Sequence, residues 1–112
     1  MNHIEHILSS QKRGEAQGIT SICSANPWVL KAVMRNAATT NVPVLIEATC
    51  NQVNQFGGYT GMTPVDFVRY VREIANKCGF PSESIILGGD HLGPNVWQSE
   101  PADSAMQKSI QM

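Results

Sequence analysis

Pro43-Val44-Leu45-Ile46-Glu47-Ala48 is the stretch on which the fold of this chain turns. Its apolar residues run on without the alternation of a half-exposed strand. A continuous run of this kind fits a parallel strand covered on both faces. Helical patterns flank it. Upstream, Asn26-Pro27 opens a helix over 27–39, with asparagine as cap and proline at the first helical position; Leu30, Val33, Met34 and Ala37 recur on one face. Downstream, Thr63-Pro64-Val65-Asp66 opens a helix over 64–78. There Phe67, Val71, Ile74 and Cys78 share a face, and Gly79 is placed to end the helix in a left-handed conformation.

Further out, Ile19-Thr20-Ser21-Ile22-Cys23-Ser24 and Ile85-Ile86-Leu87-Gly88-Gly89 read as two more strands, so the expected strands are 19–24, 43–48 and 85–89. A first helix over 3–13 has Asn2 as cap, Glu5 three positions on, and Ile4, Ile7 and Leu8 on one face. A last helix over 101–112 opens at Pro101 and carries Ala102, Ala105, Met106 and Ile110. One helix followed by three strand–helix pairs predicts an α/β chain with a parallel sheet and helical crossovers.

The strand-to-helix connections are longer and more polar than the returns. That is the arrangement of a TIM (β/α)8 barrel, whose active site is built on those loops. A doubly wound sheet is the competing architecture, but no G-x-G-x-x-G follows the first strand. The expectation is a single incomplete barrel segment over 1–112: about three βα units from the N-terminal part of the barrel. A closed barrel takes about 250 residues, and the chain has 112. Three strands leave two edges unpaired, and the last helix stops at Met112 without a cap. A truncated product is the expected origin.

Composition narrows the class. Net charge is −1, so no basic surface points to nucleic acid, and the apolar fraction of 42% suffices for a core. No apolar run approaches the roughly 20 residues of a membrane span. Met1-Asn2-His3-Ile4-Glu5-His6 lacks the cationic start and apolar stretch of a signal peptide. A cytoplasmic location, with no nucleic-acid and no membrane partner, is expected. Cys23, Cys50 and Cys78 are odd in number and widely spaced, and read as buried free thiols in a reducing compartment.

Chemistry-bearing residues gather at the strand ends. Glu47 closes an otherwise apolar strand, and a carboxylate there needs either a polar pocket or an ion-pair partner. In Gly88-Gly89-Asp90-His91-Leu92-Gly93-Pro94-Asn95, an aspartate able to exchange a proton and an imidazole able to shuttle one or bind a metal emerge together. One such pair is short of the about three protein ligands of a catalytic metal site; a structural, hydrogen-bonded His91 is the plainer alternative. Asn51-Gln52-Val53-Asn54-Gln55-Phe56-Gly57-Gly58-Tyr59-Thr60-Gly61 offers amides and backbone N–H groups to sugar hydroxyls or phosphate, or simply folds over the sheet end. Asn51, Gln52, Gly57, Gly58 and Asn95 are the ligand-binding candidates. Trp28 and Trp97 read equally as packing residues or a substrate platform.

The runs 46–49, 51–64, 88–95 and 97–98, with the Cys23-Ser24-Ala25-Asn26-Pro27 turn, closely resemble the accessory, Z-type subunits of tagatose-bisphosphate aldolase, Asn26 standing where histidine is expected in that family. The resemblance runs over nearly the whole chain and leans slightly toward the N-acetylgalactosamine rather than the galactitol pathway. It implies a barrel resembling class II aldolases but without activity alone. Its partner would be the catalytic Y subunit, which uses zinc to cleave tagatose 1,6-bisphosphate into dihydroxyacetone phosphate and glyceraldehyde 3-phosphate. It also implies that Asp90 and His91 match a strand-end proton donor and metal ligand of catalytic class II enzymes. Family members are several times longer than this chain.

The residue inventory argues separately against catalysis. His3 and His6 lie on the first helix, and Lys12, Lys31, Lys77 and Lys108 all fall on helices, away from the strand ends where a Schiff-base lysine would stand. The expected function is an accessory, chaperone-like subunit with no catalytic residue and no cofactor of its own, in which Glu47, Asp90 and His91 are vestigial candidates. Two alternatives remain: a zinc-dependent sugar-bisphosphate aldolase using Asp90 and His91, with His91 the one metal-ligand candidate, or a remnant without function.

Overall fold

The computed structural model describes residues 2–112. Three strands, β1 (Ser21–Cys23), β2 (Val44–Thr49) and β3 (Ile85–Asp90), form one parallel sheet in the order β1-β2-β3. The helices are α1 (His3–Lys12), α2 (Pro27–Thr40), α3 (Pro64–Cys78) and α4 (Ala102–Gln111), with short 3-10 turns at Ser82–Ser84 and Pro94–Trp97. The chain is thus α/β with helical crossovers between parallel strands.

Local chemistry sets the helix ends. Asn26 Oδ1 accepts from the Trp28 and Val29 amides and Pro27 follows at the first position, so α2 starts there. Thr63 and Asp66 form a reciprocal capping box on α3, and Gly79, at φ 67°, closes it. Asn2 and Glu5 do the same for α1.

The register Ser21↔Leu45↔Ile86 and Cys23↔Glu47↔Gly88 sorts the side chains onto two faces. Val44, Ile46 and Ala48, with Ile85 and Leu87, point toward α2 and α3. They meet Leu30, Met34, Ala37, Phe67, Val71 and Ile74 in the one hydrophobic core. Ser21, Cys23, Leu45, Glu47, Thr49, Ile86 and Asp90 share the other face, which no described element covers.

Several boundaries differ from the sequence reading. The first strand, expected over 19–24, spans only Ser21–Cys23. In this register residue 19 would pair with Pro43, which has no N–H to offer the ladder, and the Ser24 hydroxyl is instead occupied accepting from the Asn26 amide at 3.1 Å. The first helix ends at Lys12 because Arg13 is its cap. Its Ile4 and Leu8 do not pack: Leu8 is 51% exposed, and Ser10 is the buried residue of that helix. In α4, Pro101 is the cap rather than the first helical residue; only Ala105 is buried, and Ile110 is 73% exposed. The three cysteines do not share one environment: Cys50 is buried, Cys78 intermediate, and Cys23 exposed because it lies on the uncovered face.

Candidate functional site at the carboxyl end of the sheet

The carboxyl ends of the three strands bring a polar set together on the open face. Glu47 sits between Cys23 and Gly88 in register, and its carboxylate accepts from the Ser21 hydroxyl on the neighbouring strand. Gly88 leaves the space that carboxylate leans into, since a Cβ there would lie 3.3 Å from Glu47 Cγ. Asp90 ends β3 opposite Thr49. Gln52 folds back so that Oε1 accepts from the Thr49 amide at 2.8 Å, with Cys23 Sγ 4.0 Å away. The Cys23 thiol carries the clearest electrostatic mark of the site. Its pKa is pushed up first by burial, then by hydrogen bonding to Asp90 and by the negative charges of Asp90 and Glu47. Cys23 is therefore a protonated thiol at neutral pH, not an activated thiolate.

His91 follows in the left-handed region, at φ 51°, a conformation uncommon for a residue with a side chain. Its backbone is held there. The buried Cys50 thiol donates to the His91 carbonyl at 3.0 Å and lies 3.5 Å from that of Gly93, while the Gly93 amide donates to the same His91 oxygen at 2.9 Å. The imidazole projects outward, 82% exposed, with Nε2 3.8 Å from Asp90 Oδ1. A shallow cleft of about 440 Å³ beside it is lined by Asn51, Asn95, Thr49, Cys50 and Gly93.

The sequence candidates therefore divide. Asn51, His91 and Asn95 meet in one cleft; Glu47, Gln52 and Asp90 surround Cys23 on the open face. Gly57 and Gly58 serve neither group. Gly58, at φ 53°, lies against the chain so closely that a Cβ would overlap the Gln52 carbonyl, 2.5 Å from its carbon, and Gly57 turns at φ 102°. Their role is to close the loop. Asn54, passed over in the sequence, is that loop's internal tie: its buried side chain donates to the Cys50 carbonyl at 2.8 Å and accepts from the Phe56 and Gly58 amides. An Asn two residues before a backbone amide it can bond is a recognisable turn signal. Ser21 and Cys23 were also missed, since only the register shows that they face Glu47.

Asp90 and His91 supply at most two of the about three protein ligands a catalytic zinc needs. Among the described residues no three His, Cys, Asp or Glu side chains converge as a ligand set. His3 and His6 lie on α1, and Lys12, Lys31, Lys77 and Lys108 on the four helices. Trp97 is buried with its ring edge-on to Phe56, whereas Trp28 is 74% exposed beneath Lys31. Among the described residues no helix is long and apolar enough to cross a membrane.

The family described as D-tagatose-1,6-bisphosphate aldolase subunit GatZ/KbaZ-like matches residues 4–112. A curated relative from Klebsiella pneumoniae, named D-tagatose-1,6-bisphosphate aldolase subunit GatZ, is 60% identical over 109 residues, covering 97% of this chain and 26% of the relative. A relative of the same name from Escherichia coli is 58% identical over 106 residues, covering 95% and 25%. Both carry the GatZ designation, so the lean toward the N-acetylgalactosamine type gains nothing from them. A crystal structure titled as a probable tagatose 6 phosphate kinase from Sinorhizobium meliloti is 62% identical and superposes with a TM-score of 0.82, over 86% of this chain and 25% of that one. The chain spans about a quarter of the length of the relatives it matches. It belongs to the GatZ/KbaZ-like family of tagatose-bisphosphate aldolase subunits.

Proposed function

We propose that this family member is the first three βα units of a (β/α)8 barrel belonging to an accessory, non-catalytic aldolase subunit. The single observation that carries the reading is the family match over residues 4–112. The local chemistry supports it. The strand-end cluster holds a protonated thiol, carboxylates and amides, a set suited to hydrogen-bonding polar groups rather than to attacking a carbonyl. The partner is the catalytic Y subunit, in the cytoplasm, and the zinc that polarises the sugar-bisphosphate carbonyl belongs to that partner. The role of this subunit is to raise the stability and activity of the catalytic one in galactitol and N-acetylgalactosamine breakdown. Glu47, Asp90 and His91 are vestiges of a site, and Asn51, Gln52, Gly57, Gly58 and Asn95 shape the loops around it.

A second reading has a specific observation in its favour: Asp90 and His91 stand 3.8 Å apart at a strand end, as a proton donor and a metal ligand would. In it the parent protein cleaves the bisphosphate itself with zinc bound through His91. One set of measurements separates the two. The full-length parent is purified alone and assayed for aldol cleavage with and without zinc, then co-expressed with the catalytic subunit. The accessory reading expects no cleavage alone and a longer half-life and higher activity of the catalytic subunit when both are present. Zinc-dependent cleavage by the parent alone, lost in His91→Ala, would establish the second reading; ATP-dependent phosphorylation of tagatose 6-phosphate would overturn both.

A further inference from the structure

Both outer edges of the sheet are free: β1 and β3 each pair only with β2. Unpaired edges invite pairing with another strand. The uncovered face between them is graded along the strands. Leu45 and Ile86 stand side by side toward the amino end, while Glu47, Cys23 and Asp90 occupy the carboxyl end. A surface of this kind needs a cover that is apolar at one end and rich in hydrogen-bond donors at the other.

A second copy of the chain does not supply it. Two copies paired edge to edge about a two-fold axis would form one wider open sheet with antiparallel central strands. Leu45 and Ile86 would remain in water. The match to the crystal structure from Sinorhizobium meliloti indicates a better occupant. The present fold, superposed with a TM-score of 0.82, accounts for 25% of that chain. The relatives named GatZ are covered to 26% or less in the two cases described. A strand cover matched to these edges is thus part of the chain such relatives carry beyond the shared segment.

We infer that this chain docks in trans with the complementary portion of a family member, adding parallel strands to the outer edges of β1 and β3. The inference rests on the barrel reading above. The covering strands present small or apolar side chains to Leu45 and Ile86. They present donors, such as lysine, arginine, asparagine or hydroxyl groups, to Glu47 and Asp90, because a carboxylate removed from water without donors is strongly destabilised.

The test uses the 112-residue chain and, as probe, the Sinorhizobium meliloti relative from which the matching segment has been deleted. The two are co-expressed, with each also expressed alone. The expected result is a soluble one-to-one complex by light scattering, with amide exchange in β1 and β3 slowed about tenfold or more while α2 changes little. The double variant Leu45→Gln, Ile86→Gln weakens the complex about tenfold. Those side chains lie off the core, so circular dichroism of the variant chain alone matches the parent; should it not, Glu47→Lys, which repels the expected donors, replaces it.

Three outcomes overturn the inference: a complementary portion that the chain neither solubilises nor binds, a complex indifferent to every open-face variant, or a homodimer with the same protected amides. Failure here leaves the accessory role standing if the full-length parent still stabilises the catalytic subunit. Docking without that stabilisation would sink the accessory role alone.

Discussion

The two faces of the sheet are built from alternate residues of the same strands, yet they obey different physics. On the helix side Ile46 is fully buried and packs with Leu30, Met34 and Val71. On the other side Leu45 and Glu47, its immediate neighbours, remain partly open to solvent. The first face holds the chain together through apolar burial, worth about 25 cal/mol per Å² removed from water. The second contributes little to folding and carries nearly all of the polar chemistry. Stability and reactivity are thereby separated by a single step along a strand.

The largest effect should come from breaking the covered face. Ile46→Ala should cost about 2–5 kcal/mol, a large share of the stability of a domain this small, whereas Leu45→Ala should cost about 1 kcal/mol or less. Urea unfolding followed by circular dichroism measures both; equal losses would erase the distinction between the faces.

The next effect belongs to the loop that joins them. Gly58→Ala places a methyl group against the Gln52 carbonyl at a positive φ and should destabilise by about 2 kcal/mol. Thr63→Ala removes the cap of α3 and should cost about 1 kcal/mol, lowering the thermal midpoint without altering chemistry on the open face.

The smallest effect on stability, and the most telling for the open face, is Asp90→Asn. Asp90 raises the Cys23 pKa both by hydrogen bonding and by charge, so its neutralisation should bring the thiol down toward its ordinary value. The thiolate would then form at lower pH, and the pH at which alkylation of Cys23 reaches half its maximal rate should fall. Unfolding should change by less than about 0.5 kcal/mol. An unchanged alkylation profile would mean that the two side chains do not meet. A separate pH effect is expected at α4. Glu100 is held below its ordinary pKa by Lys108, which approaches at 2.6 Å, and by Ser104. A depressed carboxylate stabilises the folded state above its unfolded pKa, and that contribution is lost as pH falls through the folded value. Amide exchange in α4 should accordingly quicken on acidification below about pH 4.5, the ordinary value of a glutamate, and Glu100→Gln should abolish that dependence.

The covered face was the legible one. The helix after Thr63 could be read because Thr63, Pro64, Asp66 and Gly79 punctuate it and Phe67, Val71 and Ile74 repeat along it. Such signals are local. The parallel sheet likewise followed from the unbroken apolar run at Val44 to Ile46. The open face was read only in part. Glu47, Asp90 and His91 stood out as polar groups at strand ends, but the partnership of Ser21 and Cys23 with Glu47 depends on a register that no single strand encodes. Gly57 and Gly58 looked like ligand contacts in sequence because a glycine that turns a loop and one that admits a ligand are written alike. α1 misled for a related reason: Ile4, Ile7 and Leu8 form a proper apolar stripe, but a stripe says nothing about whether a neighbour is there to meet it.

The left-handed backbone of His91 bears on how variation at that position should be interpreted. Asparagine, aspartate and glycine tolerate such a φ, while valine, isoleucine or threonine would be penalised by about 1–2 kcal/mol whatever the site does. A saturation library selected only for folding should thus return His, Asn, Asp and Gly at 91 and reject the β-branched residues. Restricted variation at this position among natural sequences would record the shape of a turn pinned by the Cys50 thiol before it recorded any demand for an imidazole.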